Sequence, residues 1–374
     1  MRPIICFTSF AAYPLFHPEY VAPHGGAEVE LFFLAKKFAE KKNTVHMVVG
    51  DLGQPKIETV ENVRLWRGIP IQQSTVLFGI MRTLSLFRTW KDINADIYLV
   101  KGAGWITFQL ALFCTLYKKK YIMKTSHKKN IDLSLKKKPY HAFYRWALTR
   151  ADAVIVQNKE DIGIIQQNYH IAAKVIKNYH PIPPPRKPAS PGTPLMLVWV
   201  GRITSIKRPH LFLDLAKKFP EHVFRMIGFI SDTALWQKIK KESERIPNLT
   251  IITNEPHHKM DQHYQQASLL VSTSSLEGFP NTFIEAMKWG VPIASLSVNP
   301  DQCITKHALG IVGNDDLEYF ANQLKTLIEN PKMIHQYGKN AYHYASKEFG
   351  ENIIHQWNDL FGATTKNYPT VHTI

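Results

Sequence analysis

"LVWVGRITSIKRPHLFLDLAKKFP" (197–220) sets the reading of the whole chain. It opens as an apolar strand, has Gly201-Arg202 directly after the strand, carries Lys207 on a loop, and turns helical around Pro209. Strand, loop and helix in close succession form the half-unit of a doubly wound α/β domain, whose strands run parallel through right-handed crossovers. The same alternation extends in both directions. Toward the amino end, strands are expected at Ile4–Thr8, Val45–Val49, Ile97–Lys101, Lys120–Lys124 and Ala153–Gln157. From Leu195–Val200 onward they recur at His222–Ile227, Leu249–Ile252, Leu269–Ser272 and Pro292–Leu296. Between the two series lies "YHPIPPPRKPASPGTP" (179–194), too dense in proline for regular structure. The expected organisation is a first domain over 1–180, a linker over 181–194 and a second domain over 195–347. Helical stretches near 315–330, 331–347 and 350–361 follow the second sheet. The last, at about 348–362, is expected to pack back on the first domain.

A chain of 374 residues suits two domains, and 45% hydrophobic residues exclude a disordered chain. Cys6, Cys114 and Cys303 lie far apart, without CxxC or metal spacing, and read as thiols of a reducing compartment. "MRPIICFTSFAAYP" lacks the apolar core of a signal peptide, and Trp105–Tyr117 is shorter than the roughly 20 residues that span a bilayer. A cytoplasmic protein is expected.

The formal net charge of +16 is unevenly spread. Residues 1–190 hold 28 Lys+Arg against 13 Asp+Glu, and residues 191–374 hold 18 against 17, so the excess lies in the first half. "YKKKYIMKTSHKKNIDLSLKKKPYH" (117–141) is its densest part, with Asp132 the single acid. Lys118, Lys119, Lys120, Lys128, Lys129, Lys136, Lys137 and Lys138 offer an anion-attracting surface for a membrane or an anionic acceptor. A merely solvated basic face fits the same run. In "VLFGIMRTLSLFRTWK" (76–91), Leu77, Met81, Leu84 and Phe87–Arg88 mix apolar and cationic character, as interfacial helices and core helices both do. No zinc spacing, RNA signature or recognition helix is present, so a nucleic-acid partner is not expected.

Three places at strand ends could carry chemistry. Gly25-Gly26 precede an amphipathic helix opening near Ala27, where backbone N–H groups approach a phosphate or simply turn the chain. Gly201-Arg202 and Lys207 form a cationic loop suited to a diphosphate, Arg as a fork and Lys as a point charge. "SSLEGFPNTFIEAMKWGVP" (274–292) puts Glu277 on a turn and Glu285 on the following helix, with seven residues between them. Thr282 and Glu285 also fit a capping box. That leaves Glu277 and the Gly278-Phe279-Pro280-Asn281 turn for other work: a carboxylate for each of two polyol groups, with backbone N–H groups for phosphate between them.

"EGFPNTFIEA", "GVP" and "VGRITSIKRP" together resemble the retaining nucleotide-sugar glycosyltransferases of family 4, and the resemblance runs from "GGAEVELFFLAKKFAEK" to the C-terminal helices. It implies the GT-B fold, two Rossmann-like doubly wound domains facing a central cleft. It implies that Arg202 and Lys207 bind the donor diphosphate, Glu285 the ribose hydroxyls and Glu277 the transferred sugar. The backbone from Gly278 through Phe279, Pro280 and Asn281 to Thr282 would touch sugar and phosphate, with Gly201, Gly25 and Gly26 bordering the donor. A histidine at a strand end of the first domain is also implied, and "YIMKTSH" offers His127; by context alone it would read as solvent-exposed. Departures occur at "NYHPIPPP", where relatives carry an Asn-Gly-Val-Asp-like turn, and at the histidine-rich segment after "TNEPHHKMD".

The activity so implied is hexosyl transfer from a nucleoside-diphosphate sugar, UDP in preference to GDP, with retention. The acceptor would be a saccharide or lipid-linked saccharide of cell-surface glycan synthesis, such as lipopolysaccharide. No DxD motif occurs, so a metal-independent site with no cofactor is expected, the donor being a substrate. Peripheral contact with the anionic inner face of the plasma membrane would suit such an acceptor. Paired glycosidase carboxylates, a nucleotide-sugar epimerase of similar architecture and a non-catalytic glycan- or lipid-binding relative are the competing readings.

Overall fold

The computed structural model describes residues 2–20, 25–70, 76–185 and 194–365, the side chains of 76–80, 364 and 365 excepted. Its packing divides the chain into Met1–His180 with Glu351–Ile374, and Pro181–Gly350. Residues 186–193 of the proline stretch lie outside the described residues.

The first unit holds an eight-stranded sheet of β1 (Ile5–Thr8), β2 (Val45–Asp51), β3 (Ile57–Val60), β4 (Val63–Pro70), β5 (Ile97–Lys101), β6 (Lys120–Lys124), β7 (Ala153–Val156) and β8 (Ala173–Val175). Their spatial order is β3-β4-β2-β1-β5-β6-β7-β8. All neighbours run parallel except β3 and β4, an antiparallel hairpin at one edge. Alternate residues of β5 serve opposite faces: Ile97 and Leu99 join one core cluster, Tyr98 and Val100 the other. A sheet buried on both sides gives such near-continuous apolar runs.

One face is covered by the helix Gly26–Glu40, through Leu31, Leu34 and Phe38, and by the helix Glu351–Thr365, through Ile353, Trp357, Leu360 and Phe361. The Phe38 and Phe361 rings meet at 5.2 Å. Fully burying a large apolar side chain stabilises by about 1.5–3 kcal/mol, so the returning helix contributes on the order of 10 kcal/mol at most. The other face is covered by helices Val76–Ile93, Trp105–Leu116 and His141–Thr149, through Leu86, Trp90, Leu110, Phe113 and Tyr144. Phe87 belongs to this packing, its ring 5.5 Å from Phe113, whereas Met81, Leu84 and Arg88 face solvent. The side chain of Leu77 lies outside the described residues.

Beneath the helix Gly26–Glu40, Glu30 accepts from both Lys101 and Lys124, all three side chains being almost wholly buried. Lys124 also donates to the carbonyl of Lys177 at 3.1 Å and lies 5.7 Å from the Trp357 ring centre. Burial lowers the Lys124 pKa to about 8 against the pull of Glu30, whereas the two lysines hold Glu30 below its ordinary value despite its own burial.

The second unit holds β9 (Met196–Ile203), β10 (Val223–Ile230), β11 (Leu249–Thr253), β12 (Leu269–Ser272), β13 (Ile293–Ser295) and β14 (Gly310–Val312), all parallel, in the order β11-β10-β9-β12-β13-β14. β9 is longer than expected: Gly201 and Arg202 lie inside it, because its ladder with β10 continues to Ile203. Helix Asn281–Met287 ends in the Gly-Val-Pro turn, where Gly290 takes φ +72°, a left-handed conformation that favours glycine. Gly338 of the helix Pro331–Phe349 passes so close that a Cβ there would stand 2.3 Å from the Gly290 carbonyl. The glycine of "GVP" therefore serves both a turn and a helix crossing.

Candidate active site

Ligands of doubly wound sheets bind outside the carboxyl ends of the strands. In the second unit the expected residues gather there. Arg202 is exposed at the end of β9 and shares a strand face with Val198 and Val200. That face packs on Phe279, Phe283 and Ile284, so Arg202 emerges on the side carrying the Glu277–Glu285 segment. Lys207 ends a short 3-10 turn, Ser205–Lys207, ahead of the helix Pro209–Lys218.

The β9 and β12 loops are fastened together from below. Trp199 Nε1 donates to Thr273 Oγ1 at 2.9 Å, and that hydroxyl donates to the Lys207 carbonyl at 2.7 Å. Ser275 N donates to the Ile206 carbonyl at 2.9 Å. Above this lattice, Lys207 Nζ and Glu277 Oε1 form an ion pair. Arg208, in the left-handed region at φ +47°, donates through Nε to the Thr273 carbonyl at 2.7 Å and through Nη2 to Ser297 Oγ at 2.6 Å. Its Nη1 lies 2.6 Å from Asp315 Oδ1; the Ser297 hydroxyl and this guanidinium hold the Asp315 carboxyl below its ordinary value. Arg208 thus ties together the loops after β9, β12, β13 and β14. The sequence offered no signal for this beyond a second cation beside Lys207.

The Glu277–Glu285 segment splits into two environments. Gly278, Phe279 and Pro280 are buried, the Phe279 ring 4.8 Å from that of Phe349. The helix opens at Asn281 behind Pro280 with no side-chain cap, which places Thr282 inside it and rules out the Thr282/Glu285 capping box. Glu285 is buried and accepts instead from Tyr264 at 2.8 Å, while its other oxygen lies 3.2 Å from His257 Nε2. Burial, then the charge of Glu285, pushes the Tyr264 hydroxyl well above its ordinary pKa, so it donates. Neither partner was singled out in the sequence, although His257 lies within the "TNEPHHKMD" stretch quoted there.

In the first unit, Gly25 is the extended residue capping the helix Gly26–Glu40, and its N–H donates to Glu28 Oε2 at 2.8 Å. Gly26 is exposed at the first helical position. His127 follows the end of β6, in a turn held by Asn130 Oδ1, which accepts from Ser126 N at 2.9 Å and His127 N at 3.1 Å. His127 Nδ1 accepts from Lys129 N at 3.1 Å, so the neutral ring carries its proton on Nε2.

The lysine run does not make one surface. Lys118 to Lys120 precede or open β6, where Lys120 pairs with Asp152 at 3.0 Å. Lys128 and Lys129 are half-buried in the His127 turn beyond the strand's other end, and Lys136, Lys137 and Lys138 are exposed farther along. A five-residue strand, about 3.3 Å per residue, separates the first group from the second. Among the described residues, no cluster of three or more His, Cys, Asp or Glu is placed to hold a metal ion, and no helix is long and apolar enough to cross a membrane.

Comparison with known proteins matches both halves. The model described as "Glycosyltransferase Family 4" covers residues 24–184, and that described as "Glycosyl transferases group 1" covers 184–344. An uncharacterized glycosyltransferase of Haemophilus influenzae is 24% identical over 57% of this chain and 62% of its own length. The poly(glycerol-phosphate) alpha-glucosyltransferase of Bacillus subtilis is 26% identical over 48% of this chain and 28% of its own. The chain therefore spans less than two thirds of the curated relatives it matches. Among solved structures, sucrose-phosphate synthase of Thermosynechococcus elongatus superposes with a TM-score of 0.79 at 15% identity, over 97% of this chain and 99% of that one. This likeness concerns the fold.

Proposed function

The chain belongs to the family-4 glycosyltransferases of GT-B fold, and from that premise we propose that it transfers a hexosyl unit from a nucleoside-diphosphate sugar to a saccharide or lipid-linked saccharide, with retention and without a metal. UDP is the preferred donor nucleotide in this reading. The observation that carries it is the Lys207–Glu277 ion pair, locked at the carboxyl ends of β9 and β12 by Trp199, Thr273 and Arg208. A cation paired with a hydroxyl-binding carboxylate suits the junction between diphosphate and sugar. When the bond from the anomeric carbon to phosphate breaks, Lys207 and Arg202 stabilise the charge gained by the leaving diphosphate. The acceptor oxygen bonds to the same carbon, and its proton passes to the diphosphate. Glu277 holds sugar hydroxyls and Glu285 holds ribose hydroxyls.

A peripheral membrane location fits this acceptor class. Among the described residues, six of the eight exposed large hydrophobics, Met81, Leu84, Trp105, Leu116, Tyr117 and Phe143, lie on or directly after the three helices of one face of the first unit. Trp105 and Phe143 meet at 5.1 Å, and Arg145, Arg150 and Lys136 to Lys138 are exposed on or near the same helices. Aromatic side chains among cations suit an anionic lipid interface.

The test is thermal unfolding with UDP, GDP, ADP and CDP, in chelator. A ligand bound only by the folded state stabilises by about 2.7 kcal/mol at one hundred times its Kd. The expected result is stabilisation by UDP that is lost in Arg202→Ala and Lys207→Ala. Silence with every nucleotide would overturn the donor site.

A further inference from the structure

The two carboxylate oxygens of the buried Glu285 have different partners. Its Oε2 accepts from the hydroxyl of Tyr264, a residue with no exposed surface whose ring is packed among Met260, Phe283 and Ile284. A phenol so enclosed has no alternative position for its hydroxyl, and burial beside a carboxylate keeps it protonated. Oε1 lies 3.2 Å from Nε2 of His257, whose side chain retains 18% of its exposure. His257 begins a 3-10 turn behind Pro256, on the segment that leaves β11. That segment is anchored independently to the same helix end: Asp261 accepts from Lys288 at 2.7 Å and from Trp289 at 2.8 Å. Tyr264 is therefore held by the core, and the segment of His257 by a second set of contacts.

We propose that Tyr264 and His257 are positioning residues of the donor site, setting the carboxylate plane of Glu285 so that Oε1 meets the ribose hydroxyls of a nucleoside diphosphate. This rests on the reading of Glu285 as the ribose ligand. A glutamate side chain turns freely about its last bond, and a carboxylate serving two vicinal hydroxyls needs one plane. Tyr264 supplies that plane from the closed side. His257 supports Oε1 until the ribose arrives and then borders the sugar.

The experiment measures Kd by calorimetry for UDP, GDP and ADP and for their 2′-deoxy and 3′-deoxy forms, with the full-length protein. Wild type is expected to bind a ribonucleotide at least about tenfold more tightly than its deoxy forms, and Glu285→Gln is expected to erase that ratio. Tyr264→Phe, which keeps the ring, should shrink the ratio below about threefold by weakening the ribonucleotide alone. His257→Ala, at a partly exposed position, should do the same and serves if the tyrosine variant fails to fold. A merely structural tyrosine would weaken ribo and deoxy forms alike. If Glu285→Gln erases the ratio while Tyr264→Phe and His257→Ala keep it in full, the positioning role is overturned and the ribose reading stands. No ratio in wild type, an undiminished ratio in Glu285→Gln, or no binding by any diphosphate overturns both.

Discussion

Lys207 and Glu277 stand seventy positions apart in the chain yet meet as an ion pair between the β9 and β12 loops. Side-chain exposures of 21% and 14% put the pair at the wall of the site. Such a pair contributes little to stability, on the order of 1 kcal/mol. Lys207→Ala is therefore expected to leave thermal unfolding nearly unchanged while lowering turnover about 100-fold or more, the usual effect of removing a group aimed at developing charge. Initial rates with sugars of the nucleotide identified by the unfolding panel check this; turnover within tenfold of wild type would refute the leaving-group role.

Lys124 gives a pH signature. Its pKa falls from the ordinary 10.5 to about 8 in the folded protein, with burial as the main cause. Between these values the unfolded chain holds more protons than the folded one, so stability rises with pH over that window and is level in this respect below it. Denaturant titrations at pH 7.5, 9 and 10 should show an upward component that Lys124→Met removes. An identical pH slope in that variant would remove Lys124 as its source.

Glu30 is the more severe position. Changing it to Gln leaves Lys101 and Lys124 buried without their counter-charge, and breaking a buried pair on one side costs about 3–5 kcal/mol. Guanidinium unfolding followed by tryptophan fluorescence should report a loss of that size, whereas Glu28→Gln, at the half-buried helix start, should cost about 1 kcal/mol.

For the proposed membrane face, the double variant Trp105→Ser, Phe143→Ser should release the protein from liposomes containing anionic lipid. Replacing Lys136, Lys137 and Lys138 by Ser should instead weaken binding mainly at low salt, because exposed charges are screened within about 10 Å at 0.1 M. Co-sedimentation at two ionic strengths separates the two effects. Unchanged binding in both variants would argue against this face.

Much of the architecture was legible because both sheets are buried on two sides. Runs such as Ile97–Lys101, Lys120–Lys124 and Leu269–Ser272 carry apolar residues continuously and were bounded correctly. The strands missed were those without such a run. The hairpin β3–β4 sits at an edge with much of its surface open, and β8 and β14 have three residues each. The carboxyl end of β9 was misjudged because Gly201 and Arg202 read as loop residues, while the ladder that holds them is set by pairing with β10, across the intervening helix.

At the candidate site, Lys207 and Glu277 were both singled out in the sequence, whereas other contacts join a singled-out residue to one that was not. Glu277 and Glu285 were legible from their spacing; Tyr264, His257 and Arg208, which hold or flank them, were not. Tyr264 looks like any aromatic residue of a helix core, and the left-handed backbone of Arg208 leaves no mark on its identity.

The returning helix Glu351–Thr365 bears on synthesis. It supplies Ile353, Ile354, Trp357, Leu360 and Phe361 to the core of the first unit, yet the ribosome makes it only after all 170 residues of the second, Pro181–Gly350. Vectorial folding from the amino end therefore stalls one helix short: the first sheet waits with one face partly bare while a complete second unit forms. During that interval the nascent chain displays the apolar surface of Leu34, Phe38 and their neighbours, the kind of surface that chaperones engage.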